Sequence, residues 1–99
     1  MDRGISLGKS RAVEFAHRAS IHFMMENYAD ARGDFTSALR LSPDEASYYI
    51  GRGFARFRIG DRENIIAEFL DFRKAFDLDP ANSKYRPLFE RLGFFKTAI

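Results

Sequence analysis

An internal repeat restricts the fold of this chain more than any single residue does. Phe15 and Arg18 in the first copy correspond to Tyr49 and Arg52 in the second, 34 residues further along the chain. A repeat of this length is typical of helical hairpins whose apolar faces are too large to be buried within one hairpin. Such hairpins bury those faces by stacking on one another. The repeat therefore predicts an all-helical protein.

The second half of each copy is repeated as well, but with a longer spacing. Phe35 and Ala38 correspond to Phe72 and Ala75, and here the spacing is 37 residues. Three residues have therefore been inserted between the two halves of the second copy. We expect the inserted residues 62–64 to form either a longer turn or an additional turn at the start of the fourth helix.

These motifs resemble the tetratricopeptide repeat, a unit of two helices that a proline closes. Each copy has an aromatic residue, an Arg three positions later, a small residue next to it, and a Phe-x-x-Ala motif in its second half. Pro43 and Pro80 stand at the closing positions. The resemblance covers about residues 12–81. It implies a right-handed superhelix of two antiparallel helical hairpins, followed by a C-terminal capping helix.

Apolar periodicity and turn residues predict five helices, at about residues 10–25, 28–41, 44–59, 65–78 and 82–96. Residues 1–9 contain two Gly and no periodic apolar pattern, so they are predicted to be a flexible tail, with Ser10 as the N-cap of the first helix. Residues 10–99 are predicted to form a single domain. Repeat one covers about 12–45, repeat two about 46–82 and the capping helix about 82–96.

Small residues stand at equivalent positions of the two copies, where helix backbones have to approach closely. Gly inside a helix costs about 0.5–1 kcal/mol relative to Ala, so Gly53 is expected to have a packing reason. The residues predicted at helix contacts are Ala19, Phe35, Ala38, Gly53, Phe72 and Ala75. Arg18 and Asp34 recur as Arg52 and Asp71, which predicts an Arg–Asp pair within each hairpin.

Composition excludes several classes of protein. The 99 residues include no Cys, so disulfides and thiolate chemistry are excluded. No apolar run approaches the 18 or so residues of a membrane span, and the first ten residues lack the apolar core of a signal peptide. We therefore expect a cytoplasmic protein without a membrane-spanning segment.

The sequence lacks the patterns of catalytic or metal-binding sites. His17 and His22 are five residues apart, whereas two histidines that share a metal on one helix are four apart. There is no Cys nucleophile and no Gly-x-Ser-x-Gly motif. We expect no enzymatic activity, no metal and no cofactor.

The resemblance implies that the protein binds a protein or peptide partner in a concave groove, which the first helix of each unit lines. The positions that correspond to the groove are Val13, Ala16, Ser20, Phe23, Met24, Ser47, Ile50, Phe54, Phe57 and Arg58. They form an apolar and aromatic surface with one cationic edge. The preferred hypothesis is an interaction module or assembly adaptor that holds an apolar peptide or helix.

Two other functions remain open at this point. The last predicted helix is rich in apolar residues, and a homo-oligomer could form through Phe89, Leu92, Phe94 and Phe95. Alternatively, Phe94 and Phe95 fold back onto the fourth helix. Nucleic-acid binding is the least favoured function. The second half of the chain has ten Lys and Arg against seven Asp and Glu, but its arginines alternate with phenylalanines, so they point to different faces of a helix.

Overall fold

The structure is a computed structural model, which describes the backbone of residues 3–95 and the side chains of residues 8–95. Within residues 3–95 it contains five helices and no strand. The prediction of an all-helical protein is therefore confirmed. The helices are α1 (Arg3–Met24), α2 (Tyr28–Leu41), α3 (Ala46–Ile59), α4 (Arg62–Leu78) and α5 (Arg86–Arg91).

The first four helices pack in chain order, since α1 lies against α2, α2 against α3, and α3 against α4. Small side chains form these contacts: Ala19, Ala38 and Ala75 have no exposed surface. Gly53 is also buried, and a Cβ at this position would lie only 2.5 Å from Cε1 of Phe72. All six residues predicted at helix contacts are buried.

The start of the chain differs from the prediction. α1 begins at Arg3, so residues 3–9 are helical where a flexible tail was predicted, and Ser10 lies inside the helix instead of capping it. Gly has a low helix propensity, but a tertiary contact can override this preference. At Gly8 the α1 backbone comes close to the end of α2, because a Cβ there would lie 3.9 Å from the carbonyl oxygen of Leu41. Residues 1 and 2 lie outside the described part of the chain.

The inserted residues 62–64 form an additional helical turn, which is the second of the two predicted alternatives. α4 begins at Arg62, and Asp61 is its N-cap. The Asp61 carboxylate accepts hydrogen bonds from the backbone N–H and the side-chain amide of Asn64, each at 2.8 Å. These bonds lower the pKa of Asp61, because they stabilise its ionised form.

The capping helix is much shorter than predicted, since α5 includes only Arg86–Arg91. Before it, the backbone makes turns in which Asn82 and Tyr85 donate to the carbonyls of Asp79 and Asn82. A Pro near the start of α5 fits this position, because the first N–H groups of a helix need no partner within it. Gly93 then adopts a positive φ of 82°, which ends the helix. Residue 96, where the capping helix was predicted to end, lies outside the described part of the chain.

The predicted Arg–Asp pair is present in both hairpins. Arg18 of α1 donates two hydrogen bonds to Asp34 of α2, at 2.8 and 2.9 Å. Arg52 of α3 donates two to Asp71 of α4, at 3.0 and 2.8 Å. Asp71 also accepts a bond of 2.7 Å from Arg56, which is equivalent to His22 in the first copy. These bonds hold the two helices of each hairpin in register.

The pair in the first hairpin is expected to make the stability depend on pH. Hydrogen bonds from Arg18 lower the pKa of Asp34 below its ordinary value of 3.8. A carboxylate whose pKa is lowered by folding stabilises the folded protein, and this stabilisation is complete at pH values above the unfolded-state pKa. It is lost as the pH falls through the lower, folded-state pKa. Asp34→Asn should therefore be less stable than the wild type at pH 7, and the difference should shrink by pH 3. Urea unfolding at the two pH values measures it.

The matched control is Asp77→Asn, which removes an exposed carboxylate that Arg73 binds at 3.2 Å within one helix. An exposed pair of this kind contributes little to stability, so the control should differ little from the wild type at either pH. The expected role of the Asp34 charge would be contradicted if the free energies of unfolding of Asp34→Asn and the wild type differed by the same amount at pH 7 and at pH 3.

Candidate functional site

An open groove lies between α1 and α3, with α2 at its floor. Its volume is about 380 Å³, within the range of about 300–1,000 Å³ that is common for ligand sites. We call it the α1–α3 groove. The residues that line it are Ser20, Phe23 and Met24 of α1, Phe35 of α2, and Gly51 and Phe54 of α3. The lining is almost wholly apolar, so the groove is suited to apolar side chains.

Gly51 makes the floor of this groove possible. A Cβ at this position would overlap the ring of Phe35, which is only 7% exposed and therefore has little room to move. The ring of Phe35 thus lies directly against the backbone of α3. Gly53, two residues further, receives the ring of Phe72 from α4 in the same way. The two glycines let α3 fit closely between its neighbouring helices.

Phe54 separates the α1–α3 groove from a second hollow, which lies between α3, α4 and α5. Its ring meets that of Phe72 edge to face, with 5.2 Å between the ring centres, and Phe54 remains 40% exposed. The second hollow has a volume of about 250 Å³. Its lining residues are Phe54, Phe57, Glu68, Phe69, Phe72, Leu88, Arg91 and Leu92. An apolar surface therefore continues from α1 to α5 through Phe54.

A small aromatic cluster adjoins the α1–α3 groove, and the side chain of an arginine lies against it. The rings of Phe23 and Tyr28 meet edge to face at 5.1 Å. The guanidinium of Arg58 lies over the ring of Tyr28, at 5.4 Å from its centre. Arg58 is exposed, so it places a positive charge beside the apolar surface. This arrangement matches the predicted cationic edge.

The structure brings together only some of the residues that were predicted to bind a partner. Ser20, Phe23, Met24 and Phe54 line the α1–α3 groove. Phe57 lines the second hollow, and Arg58 lies beside the groove. Val13 and Ala16 of α1 and Ser47 of α3 do not line either one. Ser47 instead donates a hydrogen bond of 3.0 Å to Glu45 near the start of α3.

Ile50 was wrongly assigned to the surface of the groove. It is only 5% exposed and belongs to a core cluster with Ala46, Phe72 and Phe89. Its position on α3 turns it toward α4 and α5. Two lining residues were missed, Phe35 and Gly51. Gly51 could have been found from its position inside a predicted helix. A Gly there lowers the stability of the helix, so its presence indicates that another group packs closely against the backbone.

The residues considered for self-association are largely used within the fold. Phe89 has no exposed surface and is part of the core. Phe94 and Phe95 fold back against α4, each with its ring centre 5.2 Å from that of Phe76. This was the alternative considered for these two residues. Leu92 lines the second hollow.

The arginines of the second half are mostly engaged within the protein. The side chains of Arg52 and Arg56 are 16% and 21% exposed, and both bind Asp71. Burial lowers the pKa of Arg56, although Asp71 opposes this effect. An arginine whose hydrogen-bond donors already bind a carboxylate has fewer donors left for a phosphate. The arginines that alternate with phenylalanines in the second half, Arg52, Arg56, Arg58 and Arg62, therefore do not form one uniform nucleic-acid-binding surface.

The described residues contain neither a membrane-spanning helix nor a cluster of metal ligands. Within 3–95, no helix is long and apolar enough to cross a membrane. The same residues contain no group of three or more His, Cys, Asp or Glu that could hold a metal ion. In the second hollow, burial raises the pKa of Glu68, which disfavours its charged form. Of the two mainly apolar hollows described above, the α1–α3 groove is the larger.

Comparison of the chain with models of known protein families, with curated proteins and with solved structures finds no match. The tetratricopeptide resemblance thus depends on the repeated residues of this sequence alone.

Proposed function

We propose that this protein is a non-catalytic interaction module, or an assembly adaptor, that holds an apolar peptide or helix of a partner protein in the α1–α3 groove. The observation that supports this proposal most is the exposed apolar lining of that groove, above all Phe54 and Met24, which are 40% and 76% exposed. In this proposal the two hairpins stack as a tetratricopeptide-type superhelix, and the groove is its concave side.

Apolar surface that faces water favours association with a partner. Removal of such surface from water contributes about 25 cal/mol per Å². Met24 can adapt its flexible side chain to different apolar shapes, as methionines do at other protein-binding surfaces. Phe35 and Gly51 form a floor that is already packed in the free protein, so binding requires little rearrangement. These features suit recognition of a short apolar segment.

The chemistry of the lining supports a binding role over catalysis. Among its six residues the only side chain with a polar group is Ser20, and its hydroxyl donates a hydrogen bond of 3.1 Å to the carbonyl of Ala16. General acid–base catalysis needs a titratable side chain within hydrogen-bond reach of the substrate. None of the lining residues has one. The groove can therefore orient an apolar ligand but offers no group that would transfer a proton.

Phe54→Ala and Arg58→Ala are each expected to weaken partner binding by more than about 1 kcal/mol, since a few aromatic and Arg residues usually dominate an interface. Phe54→Ala removes an aromatic ring that lines the groove, and Arg58→Ala removes the positive charge beside the groove. A peptide selected by phage display against the purified wild-type protein serves as the ligand. Calorimetric titration gives the affinity for each variant.

Arg40→Ala is the matched control, because Arg40 is exposed in the last turn of α2, away from the residues that line the groove. Circular dichroism of every variant checks that the helices are intact. Binding that depended on Arg40 but not on Phe54 and Arg58 would show that the partner uses another surface, and the proposed site would then be wrong.

A further inference from the structure

Two adjacent methionines at the end of α1 lie in different surroundings. Met24 is the last residue of α1 and lines the α1–α3 groove. Met25 follows it and lines neither this groove nor the second hollow. Both side chains are exposed, 76% for Met24 and 62% for Met25. The chain thus has two accessible thioethers side by side, one at the candidate binding surface and one outside it.

The exposure of these two thioethers makes them accessible to a peroxide. The sequence has no Cys, so its methionines are the only side chains that contain sulfur. A peroxide oxidises a methionine to its sulfoxide. The sulfur attacks one oxygen of hydrogen peroxide, so that an S–O bond forms and the O–O bond breaks. The sulfur gives up two electrons, and the other oxygen leaves as water with both protons of the peroxide. The flexible apolar side chain becomes a polar one.

The α1–α3 groove offers no side-chain partner for a sulfoxide oxygen at Met24. The only polar side chain of the lining is Ser20, and its hydroxyl already donates to the carbonyl of Ala16. The phenylalanine side chains of the lining have no hydrogen-bond donor. A polar group that leaves water without gaining a hydrogen bond costs free energy. An apolar ligand that covered the sulfoxide would therefore remove water from an oxygen that has no other partner.

The sulfoxide can avoid this cost only if the side chain of Met24 turns toward the solvent. Because Met24 ends α1 and is mostly exposed, it has room to do so. The ligand would then lose its contact with a flexible apolar side chain, which adapts to different apolar shapes. Both responses of the side chain weaken binding. Neither disturbs the core, to which Met24 does not belong.

We propose that Met24 is a site of reversible oxidation by peroxide, and that its sulfoxide weakens the binding of an apolar ligand in the α1–α3 groove. This inference rests on the function proposed for the groove and adds a means by which that function is regulated. Methionine sulfoxide reductases return the sulfoxide to methionine, so the change is reversible. Oxidation of Met25 leaves binding unchanged, because Met25 does not line the groove.

The test compares the affinity of the purified protein for the phage-selected peptide before and after treatment with hydrogen peroxide. A selected peptide without Met or Cys is used, so that only the protein is oxidised. Mass spectrometry of proteolytic fragments shows which methionines have gained an oxygen, and calorimetric titration gives the affinity. The oxidised wild type should bind the peptide about tenfold more weakly or worse. Subsequent treatment with methionine sulfoxide reductases should restore the affinity.

The matched control is Met25→Leu, which removes the neighbouring thioether outside the groove. It should bind like the wild type before treatment and lose affinity about tenfold after it, as the wild type does. Met24→Leu is compared with itself, and its affinity should be the same before and after treatment, because the thioether of the groove is absent. Met24→Gln, which places a permanent polar group there, should bind about tenfold more weakly than the wild type without any peroxide.

Unchanged affinity of a wild type whose Met24 had been oxidised would overturn the inference. So would an equal loss of affinity in Met24→Leu, a Met24 that stayed reduced while Met25 was oxidised, or a loss of helicity by circular dichroism on oxidation. In each of these cases the untreated protein still binds the peptide, so the function proposed for the groove would stand. If Phe54→Ala bound the peptide as tightly as the wild type, the groove would not be the binding site and both proposals would be wrong.

Discussion

Replacement of Phe89 with Ala is expected to lower the free energy of unfolding by about 3–5 kcal/mol, the usual cost of deleting a buried Phe side chain. Phe89 has no exposed surface. Its ring lies 5.2 Å from that of Phe76 and 6.1 and 6.5 Å from those of Phe94 and Phe95. Without it, α5 loses its main contact with α4. Since domains are commonly stable by only about 5–15 kcal/mol, the loss would be a large part of the total.

Urea unfolding followed by circular dichroism measures the effect of Phe89→Ala. Phe57→Ala is the matched control, because it removes the same side chain from a position that is 54% exposed. Its cost should be clearly smaller than that of Phe89→Ala. Equal costs for the two variants would show that α5 is not held by the Phe89 cluster.

Gly53→Leu is expected to lower the free energy of unfolding by about 1–3 kcal/mol, the usual cost of overpacking a well-packed contact. A Cβ alone would already lie 2.5 Å from the ring of Phe72, which is 4% exposed and packs against Phe54. Because this ring has little space to move, α3 and α4 would have to separate. That movement would also disturb the hydrogen bonds between Arg52 and Asp71, so the melting temperature should fall.

Gly33→Leu is the matched control, since a Cβ at Gly33 would meet no atom within 4 Å apart from the adjoining backbone of its own helix. Gly33 lies inside α2, where Leu has a better helix propensity than Gly by up to about 1 kcal/mol. This variant should therefore be as stable as the wild type or more stable. If thermal unfolding showed the same melting temperature for Gly53→Leu as for the wild type, the close contact between α3 and α4 would be wrong.

The candidate site shows where sequence reasoning succeeded and where it failed. Ser20, Phe23, Met24 and Phe54 were expected to lie together, and they line one groove. Ile50 was expected beside them but is buried. Its place on α3 lies near the boundary between the groove face and the face toward α4. A repeat register fixes which residue is equivalent to which, but at such a boundary the crossing angle of the helices decides which side chain is covered.

The exposure of Ile66 and Leu70 on α4 was not foreseen, because it depends on where the last helix ends. Apolar periodicity predicted a capping helix over about 82–96, whereas α5 ends at Arg91. Gly93 and the folding back of Phe94 and Phe95 onto Phe76 shorten it. The packing of these rings on α4 thus takes the place of further turns of α5. Local sequence patterns describe one segment at a time, so they do not show that packing on another helix competes with a longer helix.

The sequence by itself determined the all-helical class, the positions of α2, α3 and α4 to within a few residues, and the Arg–Asp pairs. The physical reason is that helix periodicity and capping are local, and that the repeat gives each hairpin the same partners at the same positions. Tertiary structure alone decided that α1 begins at Arg3, that Ile50 is buried and that α5 ends at Arg91. These features depend on contacts between segments far apart in the chain, whose energies exceed local preferences.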